Sequence, residues 1–109
     1  MVKWEIEFFN EKVKQNTLNF PPKMLGKLLH VFELMEIFGV DLGEPFTRPL
    51  GKGLFEIRVK SNEGIRRSIY CYKKGNKIIV LHSFIKKTQK TPKRELEIAL
   101  SRKREVDNE

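Results

Sequence analysis

Leu54-Phe-Glu-Ile-Arg-Val-Lys-Ser-Asn-Glu-Gly-Ile-Arg-Arg-Ser-Ile-Tyr-Cys-Tyr-Lys-Lys-Gly-Asn-Lys-Ile-Ile-Val-Leu81 carries three strand signals in close succession. Phe55, Ile57 and Val59 alternate with Glu56, Arg58 and Lys60, the period of two that a half-buried strand requires. Ser61 to Gly64 reads as a hairpin connection, and Ile65 to Tyr72 as the returning strand. Lys74-Gly75-Asn76-Lys77 is a second tight turn, with Gly and Asn tolerating positive φ. Ile78 to Leu81 is a continuous apolar run, as expected of a strand covered on both faces.

Upstream, Trp4, Ile6 and Phe8 alternate with Glu5 and Glu7, and Val2 and Lys3 continue the pattern, which predicts a first strand. Asn10 is a candidate N-cap for a short helix ending near Asn16. Pro21-Pro22 opens the strongest helix, with Leu25, Leu28, Leu29, Phe32 and Met35 at helical spacing. Leu34, Ile37 and Phe38 widen that stripe, Lys23, Lys27, His30 and Glu33 form the wet face, and Gly39 is the stop. Residues 39–53 hold four Gly and two Pro and are expected to be a loop. Downstream, Thr91-Pro92 predicts an N-cap with Pro at the first helical position, and a basic helix to about Glu105. The expected fold is α+β in the order β-α-α-β-β-β-α, with helices packed on a mostly antiparallel sheet, as one domain over residues 1–109.

The charge is segregated. Residues 1–49 hold six Lys/Arg against seven Asp/Glu, a net of −1; residues 50–109 hold sixteen against seven, a net of +9. Such asymmetry is the footprint of a polyanion binder, the plain alternative being a basic surface that only aids solubility. Cys71 is the only cysteine, so no internal disulfide is possible, and no run approaches the ~20 apolar residues of a membrane span. With no signal-peptide pattern at the N-terminus, a cytoplasmic location is expected.

Metal and cofactor chemistry are not expected, because His30 and His82 have no Cys or carboxylate at ligand spacing. His30 belongs to a solvated helix face. His82, at the end of the apolar strand, is open to a role in proton transfer or to a purely structural one. No nucleophile elbow, Walker loop or dinucleotide fingerprint occurs, and Gly51-Lys52-Gly53 lacks a following helix. What remains is cationic: Arg58 and Lys60 on one strand, Arg66 and Arg67 on the next, then Lys86, Lys87 and Lys90, with Lys93 and Arg94 opening the last helix. Tyr70, Tyr72 and Phe84 lie on the same strands and are candidates to stack on bases.

Three stretches carry a family resemblance: Leu50-Gly-Lys-Gly-Leu-Phe-Glu-Ile-Arg-Val59, Arg67-Ser-Ile-Tyr70, and Leu81-His-Ser-Phe-Ile-Lys-Lys-Thr-Gln-Lys-Thr-Pro92. With the Trp4 to Phe8 start and Gly43-Glu-Pro-Phe46, the chain resembles the RelE/HigB toxin superfamily, in particular its phage-derived toxin-like branch. The resemblance implies a small sheet with two N-terminal helices and one C-terminal helix. It also implies a metal-independent endoribonuclease that cleaves mRNA in the ribosomal A site, without cofactor. The implied partner is a cognate antitoxin, often of helix-turn-helix type, in a hetero-oligomer. Carried over by position, Arg67 and Arg58 are the phosphate-facing arginines, and Lys86 and Lys87 the cationic segment after the last strand. Strand parity puts Arg66 on the face opposite Arg67. Active members commonly place a Tyr or His near the C-terminus, whereas none follows His82 here; His82 or Lys86 then stands in as base or acid. A catalytically degenerate RNA- or ribosome-binding module is the alternative.

Overall fold

The computed structural model describes residues 3–62, 64–86 and 91–109, Lys86 in its backbone only, so Val2, Glu63, Lys87 and Lys90 lie outside the described residues. The elements are β1 (Glu5–Phe8), α1 (Glu11–Leu18), α2 (Pro22–Phe38), a 3₁₀ turn (Gly39–Asp41), β2 (Thr47–Gly51), β3 (Leu54–Ser61), β4 (Gly64–Lys73), β5 (Lys77–Lys86) and α3 (Lys93–Asp107). They form one mixed five-stranded sheet in the order β1-β5-β4-β3-β2, with β1 parallel to β5 and every other pair antiparallel. The expected α+β architecture is present, with one added strand. Residues 39–53 are not simply a loop: the turn Gly39–Asp41 and strand β2 lie within them. Pro49 is admitted to β2 because the strand is at the sheet edge, where one row of N–H groups has no partner.

The helices take opposite faces. α1 lies on β5 and α2 on β3, while α3 crosses the other face over β4 and β5. Met24, Leu28, Val31 and Met35 of α2 meet Ile57, Val59, Tyr70, Ile78 and Val80 in one core. Leu54, Ile69, Cys71, Ile79 and Leu81 meet Ala99 and Val106 of α3 in the second. The buried stripe of α2 is therefore rotated from the expected one: Met24 and Val31 are in, whereas Leu29, Ile37 and Phe38 are exposed. Asn10 caps α1 as expected, its Oδ1 accepting from Val13 N at 2.8 Å, but the helix continues past Asn16 to Leu18. Gly39, at φ +53°, ends α2 where Trp4 crosses it; a Cβ there would lie 2.0 Å from the indole nitrogen. Between α1 and the sheet, the hydroxyls of Thr17, Ser83 and Ser68 form a buried chain at 2.6 and 2.8 Å, which gives each of three buried polar groups a partner.

Burial pushes the Cys71 thiol up to about 11, with Lys103 acting weakly in the other direction. Thiolate reagents attack only the ionised form. At pH 8, alkylation of the folded protein is expected to be at least about a hundredfold slower than in urea, where the thiol titrates near its ordinary ~8.5. Mass spectrometry of iodoacetamide-treated samples reads this directly, and equal rates would place Cys71 at the surface. The linked stability is present below the unfolded value and falls as pH rises from there toward 11, since the unfolded chain ionises first.

Among the described residues, no helix is long and apolar enough to cross a membrane.

Candidate nucleic-acid interface

Antiparallel register fixes which side chains share a face. Arg58, Arg67 and Phe84 are cross-strand neighbours on β3, β4 and β5, and the next row holds Arg48, Glu56, Ile69 and His82. Both rows lie on the α3 side of the sheet, with Ile69 inside the core that Ala99 and Val106 cover and Phe84 packed against it. Two arginines directly opposite each other destabilise a strand pair unless a carboxylate intervenes. Glu56 is that carboxylate, one row away.

Glu56 is buried, and its two oxygens are shared three ways. Arg67 Nη1 donates to Oε1 in a buried ion pair, Arg48 Nε lies 3.4 Å from the same oxygen, and Thr91 Oγ1 donates to Oε2 at 3.0 Å. Thr91 is thus not the N-cap of α3 that the sequence suggests; Pro92 stands at that position without a side-chain cap bond. Arg67 itself is only 1% exposed. The expectation that it reaches a phosphate directly does not match this placement. Its guanidinium contributes field and holds Glu56, whereas Arg58 and Arg48 are exposed. The cluster of Arg48, Glu56, Arg58 and Arg67 carries a net charge of +2.

His82 arrives on this face through a bulge. Ile69 pairs with His82 and Tyr70 with Val80, so Leu81 is the extra residue of β5. Strict alternation from Ile79 and Leu81 would send His82 to the opposite face, with Val80; the bulge turns it back toward α3. There its Nε2 lies 2.9 Å from Glu95 Oε1, its Nδ1 lies 3.4 Å from Arg102 Nη1, and its ring stacks on Phe84 with centroids 5.2 Å apart. Arg102 also donates to Leu81 O at 2.7 Å. An arginine can only donate, so in the tautomer whose Nδ1 accepts from Arg102 the Nε2 proton faces Glu95.

Other expected residues do not converge here. Tyr70 is 1% exposed on the α2 face, stacked on Phe55 with its hydroxyl pushed well above the ordinary tyrosine range by burial, so it is a core residue and not a base-stacking platform. Tyr72 is half-buried against Trp4. Arg66 takes the face opposite Arg67, as parity requires, with its guanidinium 5.4 Å over the Phe20 ring. Lys60 is exposed near the end of β3, and Lys27 Nζ donates to its carbonyl at 2.6 Å. Lys93 is exposed and 3.9 Å from Glu97, while Arg94 lines a separate groove with Phe9 and Asn10. Lys86 ends β5 opposite Ile65. His30 is exposed, as expected. Among the described residues, no three His, Cys, Asp or Glu side chains converge as metal ligands.

Arg48, Glu56, Glu95 and Arg102 are not marked by the sequence as site residues, and Thr91 is marked only as a helix cap. The hairpin turn at Ser61–Gly64 was the available signal: it fixes Glu56 one row from Arg67.

A family model described as Phage derived protein Gp49-like matches residues 15–104. The chain is also similar in fold to one chain of a solved structure, "Crystal structure of archaeal RelE-RelB complex from Pyrococcus horikoshii OT3". The TM-score is 0.55 at 18% identity, covering 78% of this chain and 96% of that one. Among curated proteins no sequence matches it.

Proposed function

We infer the function from a plain premise: this chain belongs to the Phage derived protein Gp49-like family, a family of RelE-like toxins. It is a toxin of the toxin–antitoxin kind, and we propose that it acts in the cytoplasm as a ribosome-dependent mRNA endoribonuclease. The observation that carries this reading is the gathering of Arg48, Arg58 and Arg67 on one face about the Glu56 carboxylate, with His82 in the same cross-strand row, held by Glu95 and Arg102 of α3.

In the proposed reaction an RNA 2′-hydroxyl gives up its proton and attacks the adjacent phosphorus. The bond from phosphorus to the 5′-oxygen breaks, that oxygen takes a proton, and the products are a 2′,3′-cyclic phosphate and a 5′-hydroxyl. Arg58 meets the charge growing on the phosphoryl oxygens, and Arg67 supports it from within the sheet, by holding Glu56 and so Arg48. Lys86 or His82 serves as base or acid and Lys87 adds positive charge, since neighbouring cations depress a lysine's pKa toward neutrality. For His82 this requires release from Glu95. Phe84, stacked on His82, offers a ring to a base, and Lys60, Lys90, Lys93 and Arg94 attract the RNA at longer range. The similar structure is a RelE-RelB complex, which supports an antitoxin partner; our proposal is that this antitoxin is of helix-turn-helix type and neutralises the toxin by covering this face in a hetero-oligomer.

Expression of the chain alone is expected to arrest translation, with mRNA cut on ribosomes and fragments ending in a cyclic or 3′-phosphate. Fragments ending in 5′-phosphate would sink the proposed chemistry. Intact mRNA and normal growth at clearly detectable protein levels would favour the binding-only module of the same fold.

A further inference from the structure

The segment joining the 3₁₀ turn to β2 folds against β3 and leaves a cavity of about 230 Å³. Glu44, Pro45, Phe46, Arg48, Glu56 and Arg58 are among its lining residues. Its chemistry is uneven. Phe46 is a large apolar side chain left 37% exposed at a rim that is otherwise mostly charged. At the other end stand two arginines. Arg48 is directly opposite Glu56, and Arg58 is two residues along β3, so the arginines are diagonal neighbours on one face. Diagonal positions lie roughly 7–8 Å apart, a span across which two long guanidinium side chains can hold one phosphate between them. Glu56 engages Arg48 only through Nε, so among the described residues both terminal NH₂ groups of Arg48 keep their donors. Arg58 has no ion-pair partner among the described residues. The Glu56 carboxylate is matched by Arg67, so Arg48 and Arg58 outweigh Glu44 in the field of the cavity.

We propose that this cavity is a subsite for a single nucleotide of the RNA, with Arg48 and Arg58 straddling its phosphate and the base lying against Phe46. It rests on the ribonuclease reading above and adds to it a site that recognises one nucleobase beside the cleaved bond. The volume supports one base and not two, since pockets for drug-sized ligands begin at about 300 Å³. An aromatic face beside paired guanidinium groups is the combination that base stacking and phosphate binding together require.

Titration of the purified, isotope-labelled protein with each of the four nucleoside 5′-monophosphates, followed by NMR, tests the subsite without any need for cleavage. Backbone amides of Phe46, Arg48 and Arg58 are expected to shift. At least one nucleotide should bind several-fold tighter than ribose 5-phosphate, which carries the phosphate without the base. Phe46→Ala should weaken that nucleotide roughly five- to a hundredfold while leaving ribose 5-phosphate unchanged. Arg48→Gln should weaken both ligands, and the amide spectrum of each variant reports whether it is folded. Ribose 5-phosphate binding as tightly as every nucleotide would overturn the base subsite, leaving only an anion site. Shifts confined to Lys93 and Arg94 would overturn its location. Nucleotide binding at Phe46 by a protein that cuts no mRNA would uphold the subsite and sink the ribonuclease reading instead.

Discussion

Glu56→Ala is expected to lower the unfolding free energy by about 3–5 kcal/mol, the usual cost of breaking one side of a buried ion pair. The cost arises from what remains. Arg67 is 1% exposed, so without Glu56 its guanidinium stays in the sheet with its main countercharge gone. Thr91 and Arg48 lose their shared acceptor at the same time. Urea denaturation of Glu56→Leu, Arg67→Met and the pair Glu56→Leu/Arg67→Met closes a double-mutant cycle beside Glu56→Ala. The double variant is expected to recover most of the loss, because replacing both charges by apolar groups removes the desolvation cost along with the attraction. A change below 1 kcal/mol in Glu56→Ala would show that the carboxylate is not the hub of this face.

Arg58→Ala is expected to slow cleavage of ribosome-bound mRNA by about 10²–10³-fold, the effect of removing one preorganised donor from a transition-state charge at other enzymes. Stability should change little, because Arg58 is exposed and relief from the facing Arg67 offsets lost packing. Arg58→Lys should restore only part of the rate, since an ammonium cannot make the paired bonds of a guanidinium. Thermal melts of each variant separate a kinetic effect from unfolding. If Arg58→Ala cuts like wild type while Lys93→Ala abolishes cleavage, the reactive site lies on α3 and not on the sheet.

The sheet was legible because its strands alternate: Phe55, Ile57 and Val59 had to share one face and Glu56 and Arg58 the other, and they do. Four features were hidden for separate physical reasons. β2 is an edge strand with Pro and Gly inside it, so its composition reads as a loop and Arg48 went unnoticed. Tyr70 and Arg67 look alike in sequence as polar-tipped strand residues, yet both are buried, on opposite faces. Only the packing of α2 over Tyr70 and the ion pair with Glu56 decide their fates. The position of His82 depends on a single extra residue that leaves no mark in the pattern of apolar and polar positions. The acidic partners Glu56 and Glu95 carry no mark in the sequence, where each reads as an ordinary solvated carboxylate; only the fold brings Glu56 against Arg67 and Glu95 against His82.

The bulge at Leu81 gives β5 a phase break. Toward Lys77 the odd-numbered positions Ile79 and Leu81 face α3; toward Lys86 the even-numbered positions His82 and Phe84 do. A saturation scan along this strand therefore has no single rhythm. Tolerance to polar substitution should follow one parity up to Val80, stall across the two consecutive α3-facing residues, and resume in the opposite parity. Insertion or deletion of one residue at Leu81 shifts the two halves against each other, so the half bearing His82 and Phe84 can drift as a unit while the half that builds the core stays fixed.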